Sequence, residues 1–298
     1  MRPWCLQGST GDERLMYIAT VALCACGGCH NSLLAAGEPF VSLLSEHTIS
    51  FSSYLFDRRT ISPSDVVLAT GGIRNHEELE IAREIERTSR KVIAVGSCAV
   101  YGGLPGARDR EEPPAVSEGA GLPEMLENVM PLDSIVGVEL YLPGCPPPPG
   151  LILESLKSLE GRYEPPHFDG TVCSECPRTV EVKPVKSWSL HPGCGVPEGS
   201  CLLNHGLLCL GPVTRGGCLA ACPLEGSICI GCRGPSDMVL SSQLHSMYSD
   251  MVKYVTLSTA SRREKVEKKL SAVLETIYLF TRRDPVIRAK VKERVPGE

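Results

Sequence analysis

Cysteine is the residue through which this chain can do chemistry, and its fifteen copies fall at spacings that gather several of them together. Cys26 and Cys29 flank two glycines in a C-x-x-C pair, Cys98 sits in a GSC step, and Cys145 lies in PGCPP. Further along come Cys173-x-x-Cys176, Cys201, Cys209, Cys218, Cys222, Cys229 and Cys232, eight thiols in one short stretch. Thiolate is a soft ligand that suits zinc and iron–sulfur clusters alike. An odd count does not pair off into disulfides, and in a reducing compartment so many cysteines point to metal. Cys5, Cys24 and Cys194 are left over.

The first 160 residues must position the early thiols, and their rhythm predicts how. Apolar, β-branched runs stand at 16–23, 49–56, 65–69, 91–95 and 138–142; all but the second end in a Gly- or Cys-containing loop, and helix-like segments intervene. This is the pattern of a parallel α/β sheet, although strand order cannot be read directly from it. Residues 75–87 place Leu79, Ile81, Ala82 and Ile85 at helical spacing behind Asn75, a good N-cap. The Gly-, Pro- and charge-rich stretch 103–123 is expected to be an exposed loop. Cys26, Cys29, Cys98 and Cys145 all follow the carboxyl ends of predicted strands, the edge where open parallel sheets hold ligands. Four thiolates from three loops can therefore converge. Buried free cysteines also occur as small hydrophobes, but that does not explain why each sits in a Gly or Pro loop at one edge.

From about 165 to 235 no helical or strand period lasts long enough to build a core, and metal ligation is expected to supply the missing stability. Eight thiols suit two four-iron clusters, and the Cys145-Pro146, Cys176-Pro177 and Cys222-Pro223 steps are of the kind that follow ferredoxin ligands. A pair of all-thiolate zinc sites is the structural alternative. Zinc does not explain the thiols at the sheet edge, whereas a relay of clusters explains both halves. Residues 237–298 return to helical patterning, with Val266, Leu270, Val273 and Leu274 apolar in 263–276, and are expected to pack on the body or on a partner. With 42% apolar residues, 22% charged and a net charge of −5, the chain offers phosphates no basic face, so nucleic-acid binding is not expected. No stretch approaches the ~20 apolar residues of a membrane span, no secretory or twin-arginine leader is evident, and a cytoplasmic location is expected.

With the cysteines laid out, the sequence resembles the small subunits of [NiFe] hydrogenases, in particular the small (gamma) subunit of the methyl-viologen-reducing, F420-non-reducing type from methanogens. The carrying segments are CGGCHNSLL at 26–34, ATGGIRNHEELEIAREIE at 69–86, VIAVGSCAVYGGLPG at 92–106 and YLPGCPPPP at 141–149. CSECPR at 173–178, CLLNHGLLCLGPVTRGGCLAACP at 201–223 and CIGCRGPSD at 229–237 complete them. The resemblance implies a flavodoxin-like domain over 1–164, an iron–sulfur domain over 165–236 and a helical extension over 237–298. It further implies three [4Fe–4S] clusters: a proximal one on Cys26, Cys29, Cys98 and Cys145, a distal one on Cys173, Cys176, Cys201 and Cys209, and a medial one on Cys218, Cys222, Cys229 and Cys232.

On this reading the chain holds no catalytic residue, because the nickel–iron site belongs to a separate large subunit. The chain carries electrons from that site to an acceptor-side iron–sulfur or flavin subunit, linked to heterodisulfide reductase. Asp57 matches a carboxylate position that ligates the proximal cluster in related F420-reducing enzymes; it follows the second predicted strand and is an alternative ligand, or else a solvated acid beside Arg58 and Arg59. His191 and Cys194 imitate a histidine-containing distal pattern but are expected to form a nearby loop. Cys5 is read as a tail thiol, Cys24 as a strand residue, and His30 as either a packing residue or a hydrogen-bond donor to the cluster. Alternatives to the hydrogenase relay are an iron–sulfur subunit of an F420-reducing or complex I-like assembly, and a zinc-bound scaffold.

Overall fold

The computed structural model describes residues 15–107, 121, 123–159, 164, 166, 170–190, 196–241 and 245–287. Five parallel strands form its central sheet: β1 (Tyr17–Ala22), β2 (Thr48–Ser52), β3 (Ser64–Thr70), β5 (Ser89–Val95) and β7 (Leu140–Leu142), in the order β2-β1-β3-β5-β7. Counted in chain order the five run 2-1-3-4-5, the flavodoxin arrangement, with its switch point at β1 and β3. Helices α1 (Gly28–Leu34), α2 (Glu38–Glu46), α3 (His76–Thr88), α4 (Ser97–Tyr101) and α5 (Pro149–Leu159) connect and cover the strands.

The continuous apolar runs are explained by burial on both faces. Along β3 and β5, Val66, Leu68, Ile93 and Val95 pack with Leu33 of α1 and with Leu151, Ile152 and Leu156 of α5. The alternate residues Val67, Ala69, Val92 and Ala94 pack on the other face with Leu79, Ala82 and Ile85 of α3. A period of two divides each strand between two cores.

Four of the five predicted strands are found within two residues of their expected ends. The second stops at Ser52, four residues early, because the chain turns there: the Phe56 N–H donates to the Ser52 carbonyl at 3.2 Å, and the Tyr54 N–H donates to the Ser52 hydroxyl at 3.3 Å. Helix α3 begins as predicted at Asn75, whose side chain accepts from the Glu78 N–H at 2.8 Å while Glu78 reaches back to the Asn75 N–H, a full capping box. The sequence gives no warning of β6 (Met125–Met130), which pairs antiparallel with the three-residue β4 (Ile73–Asn75).

Beyond the sheet come α6 (Val172–Glu175), α7 (Ala221–Leu224), α8 (Asp237–Ser241), α9 (Met247–Ser258), α10 (Arg263–Ser271) and α11 (Leu274–Ile277). The expectation that residues 165–235 lack a core is corrected here. Val172, Leu202, Leu203, Leu207, Leu208, Leu210 and Val213 are all buried, and they belong to the same apolar cluster as α3 and one sheet face. Met251, Val252 and Val255 of α9, together with Val266 and Leu270 of α10, extend that cluster, so the final helices pack back on the body. The predicted helix over 263–276 breaks at Val273, which leaves helical backbone at φ −124°. Ile277 and Tyr278 then turn inward and are buried. No helix among the described residues is long and apolar enough to cross a membrane.

Candidate metal centre

Each early thiol is placed by the junction of a strand and a helix. β1 hands the chain to Cys24, whose backbone bridges to Gly72, and then to Cys26; Cys29 is the second residue of α1. Cys98 is the second residue of α4, immediately after β5, and Cys145 follows β7. The three loops meet. Burial pushes the Cys29 thiol up to about 12, with added repulsion from Cys98, Cys145 and Cys26. Burial likewise raises Cys98 to about 11, helped by Cys145, Cys26 and Cys24 and opposed by a hydrogen bond from the Leu104 N–H. Cys145 is raised by burial and then by Cys26. The four expected thiols thus face one another at the carboxyl edge of the sheet, and Cys24 stands close behind Cys98.

Cys173 and Cys176, at the start and cap of α6, and Cys201 and Cys209, on either side of the 3-10 turn Leu202–His205, line a single cavity of about 70 Å³. Tyr254 of α9 lines it too and hydrogen-bonds to Cys173, a contact that sequence reasoning missed. Burial drives Cys173 up to about 12, with repulsion from Cys209, Cys201 and Cys176. Arg178 ties the surrounding loops, donating to the carbonyls of Pro223 at 2.6 Å, Ser200 at 2.9 Å and Pro197 at 3.1 Å.

Of the last four thiols, Cys218 precedes α7, Cys222 lies within it, and Cys229 and Cys232 lie in the loop that leads to α8. Burial lifts Cys232 to about 11, a backbone N–H from Cys145 lowers it, and Cys218, Cys222 and Cys145 raise it. Cys229 is pushed up by burial and then by Cys209, with Cys232 adding to the repulsion. The turn between Cys218 and Cys222 carries two non-glycine residues with left-handed backbone, Leu219 at φ 54° and Ala220 at φ 51°. Backbone of that kind costs on the order of 1–3 kcal/mol per residue and persists where surroundings impose it, often at functional sites.

Neighbouring sets touch. Cys232 lies within the charge range of Cys145, and the Cys229 N–H donates to the Cys209 sulfur at 3.2 Å. Ser97 stitches the same seam, accepting from the Gly144 N–H at 2.9 Å and donating to the Cys232 carbonyl. The twelve thiols therefore form one continuous file, from the sheet edge through Cys218, Cys222, Cys229 and Cys232 to the cavity beside α9.

Other expected residues fall elsewhere. Asp57 is exposed and lines a groove with Tyr17, Thr48 and Ile49 at the amino ends of β1 and β2, not with the thiols. The early end of β2 is the reason, since the following loop doubles back along the strand. His30 is buried, with Nδ1 3.4 Å from the Thr70 hydroxyl and its ring edge-on to Tyr54 at 4.6 Å between centroids. Burial lowers it to about 4, which keeps it neutral. Cys24 sits just past β1, not within it. Cys5, His191 and Cys194 lie outside the described residues.

The donor chemistry fits iron–sulfur clusters. Each set offers four soft thiolates gathered from separate turns of the chain, one for each iron of a four-iron cluster. The raised thiols also carry a consequence for the iron-free chain. Between the ordinary thiol value of about 9 and the folded values of about 11 to 12, the native state keeps protons that the unfolded chain has lost. Stability is then full below pH 9 or so and falls as the pH rises, by about 1.4 kcal/mol per pH unit for each fully displaced thiol. Denaturant unfolding of the iron-free chain at pH 7, 9 and 10.5 checks this; a midpoint that holds steady above pH 9 contradicts it.

The family model described as NADH ubiquinone oxidoreductase, 20 Kd subunit, matches residues 26–159. The chain is 38% identical over 252 residues to a subunit of the vhu F420-non-reducing hydrogenase of Methanococcus voltae, covering 78% of this chain and 87% of that one. It is 30% identical over 303 residues to a subunit of the F420-non-reducing hydrogenase of Methanothermobacter thermautotrophicus, covering 93% and 97%. A solved [NiFeSe]-hydrogenase chain from Dm. baculatum shares the fold at a TM-score of 0.54 and 19% identity, over 75% of this chain and 96% of that one.

Proposed function

The chain belongs to the hydrogenase small-subunit family, alongside its F420-non-reducing relatives, and from that premise we propose that it is a wire of three [4Fe–4S] clusters. Its hydrogenase relatives support electron transfer within an oxidoreductase whose catalytic site lies in the large subunit. Cys26, Cys29, Cys98 and Cys145 would hold the cluster proximal to that site, Cys218, Cys222, Cys229 and Cys232 the medial one, and Cys173, Cys176, Cys201 and Cys209 the distal one. When bound, such clusters accept and release single electrons without making or breaking bonds to substrate.

The observation that carries this reading is the unbroken file of thiols, with Cys145 near Cys232 and the Cys229 N–H on the Cys209 sulfur. The protein's task is to hold the groups at fixed separation, exclude water and tune potentials through N–H···S contacts and burial. The eight later thiols fall outside the stretch matched by the NADH ubiquinone oxidoreductase family, which argues against a complex I-like role. So many cysteines without a disulfide framework suit a reducing compartment, and we assign the chain to the cytoplasm. Electrons leave the distal thiols for an iron–sulfur or flavin subunit, which we assign to a heterodisulfide reductase-linked partner; the subunits that co-purify with the complex identify it.

Metal analysis of the complex purified without oxygen tests the proposal. About twelve irons per chain and no zinc are expected for three four-iron clusters. Stoichiometric zinc without iron overturns it.

A further inference from the structure

Arg233 is a full guanidinium with 1% of its surface exposed, the largest fully buried side chain among the described residues. A charge so enclosed keeps its place only when hydrogen-bonded and compensated. Its Nε donates to the Gly216 carbonyl and its Nη1 to the Pro143 carbonyl, both at 2.6 Å. Those anchors come from two different segments: Pro143 stands two residues before Cys145, and Gly216 two before Cys218. Its own carbonyl lies 3.4 Å from the Tyr101 hydroxyl, and the preceding residue is Cys232. Burial works against the guanidinium charge, and the nearby Cys218 and Cys232 sulfurs favour it.

The two carbonyls fix the guanidinium between the segments that carry Cys145 and Cys218, directly beside Cys232. We propose that Arg233 is a positioning residue of the relay, a fixed buried cation that raises the reduction potential of the medial group and so makes it the favoured resting place for an electron in transit. This rests on the assignment of Cys218, Cys222, Cys229 and Cys232 to one cluster. One electron arrives from the proximal side and one leaves on the distal side, no bond forms or breaks, and the guanidinium keeps its proton. Adding an electron makes the group more negative, and a nearby buried cation stabilises that state more than the oxidised one. Lysine would keep the charge at this position but not the two-pronged hold on separate carbonyls.

The test is a potentiometric titration of the clusters by electron paramagnetic resonance in the intact hydrogenase complex, with iron measured on every sample. Arg233→Gln and Arg233→Met, at full iron, are expected to lower the medial midpoint by a factor of ten or more in electron occupancy, about 59 mV for one electron. The other two midpoints should move less. Arg233→Lys is expected to keep the midpoint near the parent value. An iron-replete neutral variant with an unchanged medial midpoint overturns the proposal and leaves the cluster assignment standing. If both neutral variants lose iron, the lysine variant decides: a parental midpoint supports the role of charge, and a lowered one overturns it. Absence of iron from the parent complex would instead sink the assignment beneath it.

Discussion

Cys98→Ser is expected to strip about four of about twelve irons from the chain, the content of one four-iron cluster, and to cut hydrogen-dependent viologen reduction by the assembled complex at least a hundredfold. The thiol lies at the meeting point of the three early loops, where Cys145, Cys26 and Cys24 all bear on it. It also belongs to the set nearest the large subunit in the proposed order, so its loss interrupts the relay before the remaining clusters can contribute. A hundredfold loss corresponds to about 2.7 kcal/mol of barrier. Serine keeps the size and the backbone but replaces a soft ligand with a hard one. Cys24→Ser is the control, because Cys24 lies beside Cys98 without belonging to the expected set, and it should retain full iron and activity. Unchanged viologen reduction in Cys98→Ser would show the proximal assignment to be wrong.

Gly96→Ala should disturb the same place without touching a ligand. Gly96 has φ 88° and ψ 154°, a conformation that side chains rarely adopt, and an added Cβ would run into the Cys29 sulfur. Its N–H also donates to the Leu142 carbonyl at 2.8 Å, so the loop has little freedom to retreat. Backbone strain of roughly 1–3 kcal/mol and crowding of roughly 1–3 kcal/mol then add, and the Cys29 thiol must move. Gly37→Ala separates the two contributions, since Gly37 has φ 62° but no atom within 4 Å of an added Cβ. Gly37→Ala should cost only the strain and keep its iron. Gly96→Ala should cost about twice as much, with loss of the proximal iron and its spectroscopic signal. Equal stability and full iron in both variants would mean that the loop yields freely and does not hold Cys29 in place.

What could be read from the sequence follows physical range. The strands of the sheet and the capped start of α3 are written in adjacent residues, as apolar runs and as Asn75 three positions before Glu78, so they were legible. The four early thiols were legible for a different reason: in a parallel sheet, the carboxyl end of any strand is the same edge of the molecule. The core of the later segment was not legible. Leu202, Leu203, Leu207, Leu208 and Leu210 follow neither a helical nor a strand period, and each is turned inward by the loops around the cysteines. Asp57 was misplaced because a strand taken to run to 56 ends at Ser52, which sends the loop back along β2. Arg233 gave no signal, since an arginine after a cysteine looks like any surface cation until Pro143 and Gly216 are seen to close on it. Tyr254 was missed because its partner Cys173 is far away in the chain.

Arg283 is buried, its Nε donates to the Gly106 carbonyl at 3.0 Å, and its stem fills the space that side chains at Gly102 and Gly106 would need. It thereby buttresses the turn that leaves Cys98. Synthesis runs from the amino terminus, and early domains fold first on the ribosome. A nascent chain that has emerged only as far as α9 therefore presents Cys98 on a turn backed by Val129 but still lacking Arg283. The wall behind the early thiols is finished by one of the last described residues to be translated.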